Sequence, residues 1–410
     1  MTSSIIQLEC QCNNYPWGKK GKHSLAARFA AATPGGNFEL DESKEYAEQW
    51  MGTYPTTPSL ILSTGEDLQE HLDAFKEALI GKPILSRFGT DLPFIPKILS
   101  TSKALPLQIH PDKELAQNLH AKAPDKYGDA NHKPEIAVAL TKFEVFVGWK
   151  PLPRIQALFT TVPVLRKSFL PNSGRANLSN DDLKAIVTKM LSASDEEVQD
   201  VYEMLRKIKK EDFGAGEEYI SELLPRLAEQ YGKTDPGTMV ALLVMNFMVL
   251  EKGEAIYVPA DGIHAYLSGD IVECMARSYN VLNTGFCPRA DRDSIELFTT
   301  ALTFSPKSAD EALLKPKPSE KGRNGHTQVL APPLSEFDML VTVLKSGEKE
   351  TIEALKGPAI MIVTGGKGTL IAEGKETEVK EGFVFFIGYD TEVELEAGSG
   401  LETHIAFSEG

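Results

Sequence analysis

The chain has 410 residues, 42% of them hydrophobic and 25% charged, with a formal charge of −15 at pH 7. That length exceeds what one hydrophobic core organises, so two or three domains are expected. The negative charge disfavours nucleic acid and anionic membranes as partners, and an anionic substrate would need a local basic pocket.

Residues 1–8 lack a basic region followed by a long apolar run, so they do not read as a signal peptide, and a cytoplasmic protein is expected. From residue 5 to about 150, short β-like runs such as 93–99 and 137–147 are punctuated by Gly and Pro. Cys10 and Cys12 share one strand face and read as packing residues. With Cys274 and Cys287 they are too few for a disulfide framework. Pro151 and Pro153 then break the chain.

The texture turns helical from about 180 to 250. Ser194 and Glu197 form a capping box, followed by Val198, Val201, Leu205 and Ile208 at helical spacing. A second helix is predicted over 217–231, ending at Gly232, and the apolar run 239–250 reads as a third, buried helix too short to span a bilayer. β texture resumes at 255–258 and 271–275, and a helix is predicted at 294–302. Residues 315–325 form a polar, Pro/Gly-rich connection, and 337–407 reads as short strands of a barrel or sandwich. His404 stands alone there and reads as structural.

Three segments carry chemistry. LPLQIHPD at 105–112 places Gln108 and His110 two residues apart, on one face of a strand. NHKPE at 131–135 brings Lys133 and Glu135 together, and His264 follows a turn-rich stretch. Two imidazoles, a carboxylate and an amide oxygen suit zinc, and would tolerate manganese, iron or cobalt. His120 reads as a packing residue, and His132 as a group that supports a ligand from behind.

YPWGKKG (15–21), YAEQWMGT (46–53), LQIHPDK (107–113) with NHKPE (131–135), and HAYLSGDIVECMA (264–276) together resemble the type I phosphomannose isomerase family. The resemblance covers essentially the whole chain. It implies a mainly β protein with an α-helical insertion: a catalytic cupin-type (jelly-roll) β-barrel over 1–151 and 251–325, a helical domain over 152–250, and a second cupin-like barrel over 326–410. It implies one zinc ion on Gln108, His110, Glu135 and His264, with Glu273, Lys133 and Tyr266 as catalytic candidates. Trp17, Glu48 and Lys97 fall on its substrate side. The chemistry would be aldose–ketose isomerisation by proton transfer through an enediol.

The departures cluster at YNVLNTGFCPR (279–289). The family's aspartate is Tyr279, its arginine is Asn283, and its terminal lysine is Arg289. Its serine before the glutamine is Pro106, and its Gly-Thr-His ends in Tyr54. Asn cannot replace the charge and five donors of Arg. Tyr279 and Asn283 are therefore candidates for a rebuilt substrate pocket, with Arg289 the best remaining anion contact. The expected function is a zinc-dependent isomerase of a hydroxy-carbonyl compound, with an unphosphorylated substrate and recruitment to specialised metabolism as the first reading. The alternatives are ordinary mannose 6-phosphate isomerisation and a non-catalytic or lyase-type relative. A monomer or weak homodimer with a small-molecule substrate is expected.

Overall fold

A computed structural model describes residues 3–169, 177–334 and 336–410. Two large sheets and a group of helices make up the chain. The first sheet runs in the order Met245–Leu250, Phe143–Trp149, His264–Ala276, Phe94–Thr101, Glu48–Trp50, Cys12–Asn13. Strands Glu135–Ala139, Ala255–Val258, Leu107–Ile109 and Leu282–Gly285 join it off that path. The second sheet gathers the strands of the C-terminal region, from Thr327–Leu330 to Val393–Phe407. Neither sheet closes on itself through hydrogen bonds among the described residues.

Strand alternation builds the cores. Along Ala359–Ala372, Ile360 and Ile362 face a core shared with Phe94, Ile98 and Val272 of the first sheet, while Met361 and Val363 face a core within the second. The N-terminal strand Ile5–Glu9 pairs with Val384–Ile387, Ile5 opposite Ile387. Hydrogen bonds therefore cross the division expected between the first unit and the C-terminal one.

The long strand His264–Ala276 organises the site. His264 is opposite Gln108 and Val147, and Met275 is opposite Glu135 and Ile95. Straight, the intervening residues would span roughly 36 Å at ~3.3 Å each. The metal-ligating atoms of His264 and Glu135 nevertheless approach within 4.8 Å, so the sheet must fold over. Gly269 takes φ +117°, and a Cβ there would lie 2.5 Å from the Lys142 carbonyl oxygen, so this bend needs glycine. A register shift between Glu144 and Val145 adds curvature beside it.

Helices such as Leu25–Ala32 and Lys113–Lys122 lie among the early strands, and the main helical group runs from Leu152–Thr161 to Pro236–Val244. The capping box of Ser194 and Glu197 opens Asp195–Leu205, and Gly232 ends Ile220–Tyr231. Helix Ile295–Ala301 starts on a Ser294 cap. Two expectations change. Pro151 and Pro153 do not simply break the chain: a helix begins there, because proline suits a first turn that has no N–H partners. The apolar run 239–250 is a buried helix only to Val244. Met245–Leu250 is a strand on Phe143–Trp149, with Phe143 opposite Leu250.

Helices and sheet are fastened by one buried cation. Lys150, wholly buried, donates to Glu217 Oε2 at 2.6 Å and to the Leu242 carbonyl at 2.8 Å, and Glu217 also accepts from Arg154. Removing one partner of a buried pair is costly. Lys150→Met should destabilise the protein by about 3 kcal/mol, read as a fall in the urea unfolding midpoint.

Candidate metal centre and active site

His110, Glu135 and His264 are buried, and their ligand atoms lie within 4.8 Å of one another. No other such group of His, Cys or acidic residues occurs among the described residues. His110 Nε2 stands 3.1 Å from Glu135 Oε1, and His264 Nε2 stands 3.5 Å from Glu135 Oε2. Both Nε2 atoms are buried without a hydrogen-bond partner. Each Nδ1 instead meets a backbone carbonyl, His110 that of Asn280 at 2.8 Å and His264 that of Gly262 at 2.9 Å. A carbonyl can only accept, so each Nδ1 carries the proton and each Nε2 presents a lone pair. Leaving two such lone pairs buried is costly, and a metal ion satisfies both. The residues fit a divalent metal.

Gln108 joins them through register. It is opposite His264 on one side and Asn283 on the other, so the three side chains emerge on one face. Asn283 Oδ1 is buried without a partner.

The charges around the triad follow from burial. Burial and the nearby Lys133 ammonium push His110 down to about 4, and burial lowers His264 too, so both imidazoles are neutral at pH 7. Burial alone would raise Glu135, but the Lys133 ammonium, 3.0 Å away, holds it well below the usual carboxylate range. Tyr266 donates its hydroxyl to Glu135 Oε2 at 3.3 Å, and burial keeps that phenol neutral.

Glu273 is opposite Lys97 on the neighbouring strand, and the two are 3.5 Å apart. Burial and then the charge of Glu135 raise Glu273 to about 7. Burial would lower Lys97, yet Glu48, Glu273 and Glu135 outweigh it and keep it an ammonium. Glu48 lies 3.8 Å from Lys97 and accepts from Trp50 Nε1 at 2.7 Å. Trp17 stacks on Tyr15 at 5.6 Å, and Tyr15 reaches Tyr279.

The structure thus gathers twelve of the thirteen expected residues into one region. The exception is Arg289, which is exposed and paired with Asp195. His132 turns from the triad to Glu336, 2.8 Å away. Sequence reasoning missed Asn280, whose carbonyl orients His110, and Asp129, whose carboxylate accepts from Ser278 Oγ and the Tyr279 N–H. Backbone acceptors leave no residue-type signal. Trp50 could have been found, since Glu48 and Trp50 alternate on one strand.

Residues 5–152 match the family model of the phosphomannose isomerase type I catalytic domain, and 330–375 match that of its C-terminal part. Mannose-6-phosphate isomerase of Ogataea parapolymorpha is 35% identical, over 97% of this chain and 96% of its own. That of Saccharomyces cerevisiae is 34% identical over the whole of both chains. The chain belongs to the type I phosphomannose isomerase family. Among solved structures, mannose 6-phosphate isomerase of Salmonella typhimurium with fructose 6-phosphate and zinc superposes with a TM-score of 0.83, at 26% identity and full coverage of both chains. A zinc-bound holo structure superposes equally, at 25% identity. This phosphomannose isomerase family member is accordingly a metal-dependent isomerase of the aldose–ketose type.

Zinc held by the triad should stabilise the fold, by about 4 kcal/mol at a thousandfold excess over its dissociation constant. Thermal unfolding of wild type with and without a chelator should show that difference, and His264→Ala should abolish it.

Proposed function

We propose that the chain interconverts mannose 6-phosphate and fructose 6-phosphate, with Gln108, His110, Glu135 and His264 holding one zinc ion. The observation that carries this reading is geometric: a buried carboxyl, Glu273, is held 3.5 Å from Lys97 beside a triad fit for metal. A general base works best with a pKa near the working pH. Bound zinc would supply positive charge that favours the oxygens of a hydroxy-carbonyl group.

The rest falls to the chain's own groups. Glu273 takes a proton from the carbon beside the carbonyl and returns it to the former carbonyl carbon, while the hydroxyl proton passes to the former carbonyl oxygen. Lys97 offsets the carboxylate charge and positions it, and Glu48 with Trp50 positions Lys97. Lys133 and the Tyr266 hydroxyl hold Glu135 in place and face the substrate oxygens. Trp17 closes the side of the site through Tyr15. The phosphate falls to Arg289, which must exchange Asp195 for it.

Relatives 34–35% identical along nearly their whole length carry the mannose-6-phosphate isomerase name, which favours a phosphorylated hexose. The expectation of an unphosphorylated substrate of specialised metabolism draws no support from them. We read the two curved sheets as cupin-type jelly-rolls, with the first over 1–151 and 251–325, the helical insertion over 152–250, and the second over 326–410. No helix among the described residues is long and apolar enough to cross a membrane. A cytoplasmic monomer or weak homodimer remains the proposed setting.

The test is turnover of mannose 6-phosphate by the zinc-replete protein. Wild type should produce fructose 6-phosphate. Glu273→Gln should lower kcat by roughly 10²–10⁴ while retaining zinc. Bound zinc without turnover in wild type would overturn the reading.

A further inference from the structure

Six large apolar or aromatic side chains are exposed among the described residues, and scattered exposure of this kind is ordinary. Tyr279 differs from Phe75, Met204, Val249, Leu334 and Val343 in what holds it. Its backbone N–H donates to Asp129 Oδ2 at 2.9 Å, and Asp129 Oδ1 accepts from Ser278 Oγ at 2.8 Å. The next residue, Asn280, donates its amide to the Asp129 carbonyl at 2.7 Å and gives its own carbonyl to His110. The ring is therefore fixed one residue from a group that touches the metal-capable triad, yet it is 52% exposed.

It is also the outer end of an aromatic path. Tyr279 stacks on Tyr54 at 5.8 Å and 26°, and both rings meet Trp50, at 6.2 and 5.4 Å. Trp50 is buried, with the Lys97 ammonium 4.0 Å from its ring, and Lys97 is the partner of Glu273. The cation nearest this lip is engaged already: Arg277 holds Asp91 at 3.0 Å and Thr53 at 3.1 Å. Arg277 also lies 5.5 Å from the Tyr54 ring centre, so the lip is aromatic with one paired cation against it.

We propose that Tyr279, backed by Tyr54, is a stacking platform for the neutral C–H face of the sugar and so a specificity-determining residue. A hexose carries hydroxyls at its edge and polarised C–H groups across its face, and these suit the electron-rich face of a phenol ring. The platform grips what phosphorylated and unphosphorylated sugars share. The inference rests on the isomerase reading given above.

Steady-state kinetics on mannose 6-phosphate and mannose, with zinc content, tests it. Tyr279→Ala should raise KM about tenfold for both sugars, the effect of truncating a well-placed aromatic contact, with kcat and zinc per chain close to wild type. Tyr279→Phe should match wild type. An unchanged KM in Tyr279→Ala, an equal loss in Tyr279→Phe, or a loss confined to the phosphorylated sugar would each overturn the platform. Absence of wild-type turnover on both sugars would sink the isomerase reading separately. Tryptophan fluorescence during mannose titration then decides: a response abolished in Tyr279→Ala supports the platform, and a response kept there refutes it.

Discussion

Glu135 is a carboxylate kept ionised in the interior, and the surrounding structure is arranged around that charge. Burial opposes it, while the Lys133 ammonium, 3.0 Å away, favours it more strongly. An isolated buried carboxylate would neutralise instead. The sheet must also curl tightly enough to bring His264 against it, which is why Gly269 occupies a conformation that other residues avoid. One anion and two neutral nitrogens leave a divalent ion with residual positive charge, the condition for polarising a carbonyl.

The charge of Glu135 also accounts for its neighbours. Burial first, and then the charge of Glu135, raise the second carboxyl, Glu273, to about 7. Lys97 answers both Glu273 and Glu48, and Trp50 fixes Glu48, so charges alternate outward from the triad. Beyond Trp50 the polarity changes and aromatic rings take over as far as Tyr279. The site is thus ionic at its floor and aromatic at its lip. Both parts are tied through Asn280, whose carbonyl orients His110 and whose neighbour is Tyr279.

What the sequence made legible was local. Gln108 and His110 could be paired because side chains alternate along a strand, and Ser194 with Glu197 marked a helix start by its own hydrogen bonds. The run 239–250 misled because continuous apolar sequence has no period, so the change from helix to strand after Val244 left no trace. Pairing of Ile5–Glu9 with Val384–Ile387 joins the chain's two ends, beyond any local pattern. Arg289 reads as an anion contact by its place in a motif, which carries no sign of its pairing with Asp195 in another element. Asn280 acts through its backbone, which every residue possesses, and the stack of Tyr54 on Tyr279 depends on a fold that brings distant loops together.

X-ray absorption at the zinc edge of the metal-replete protein tests the metal centre most directly. The account predicts one zinc per chain, the signature of two imidazoles, and only nitrogen and oxygen ligands at about 2.0–2.2 Å. Sulfur at about 2.3 Å, a single imidazole, or failure to bind one equivalent would contradict it.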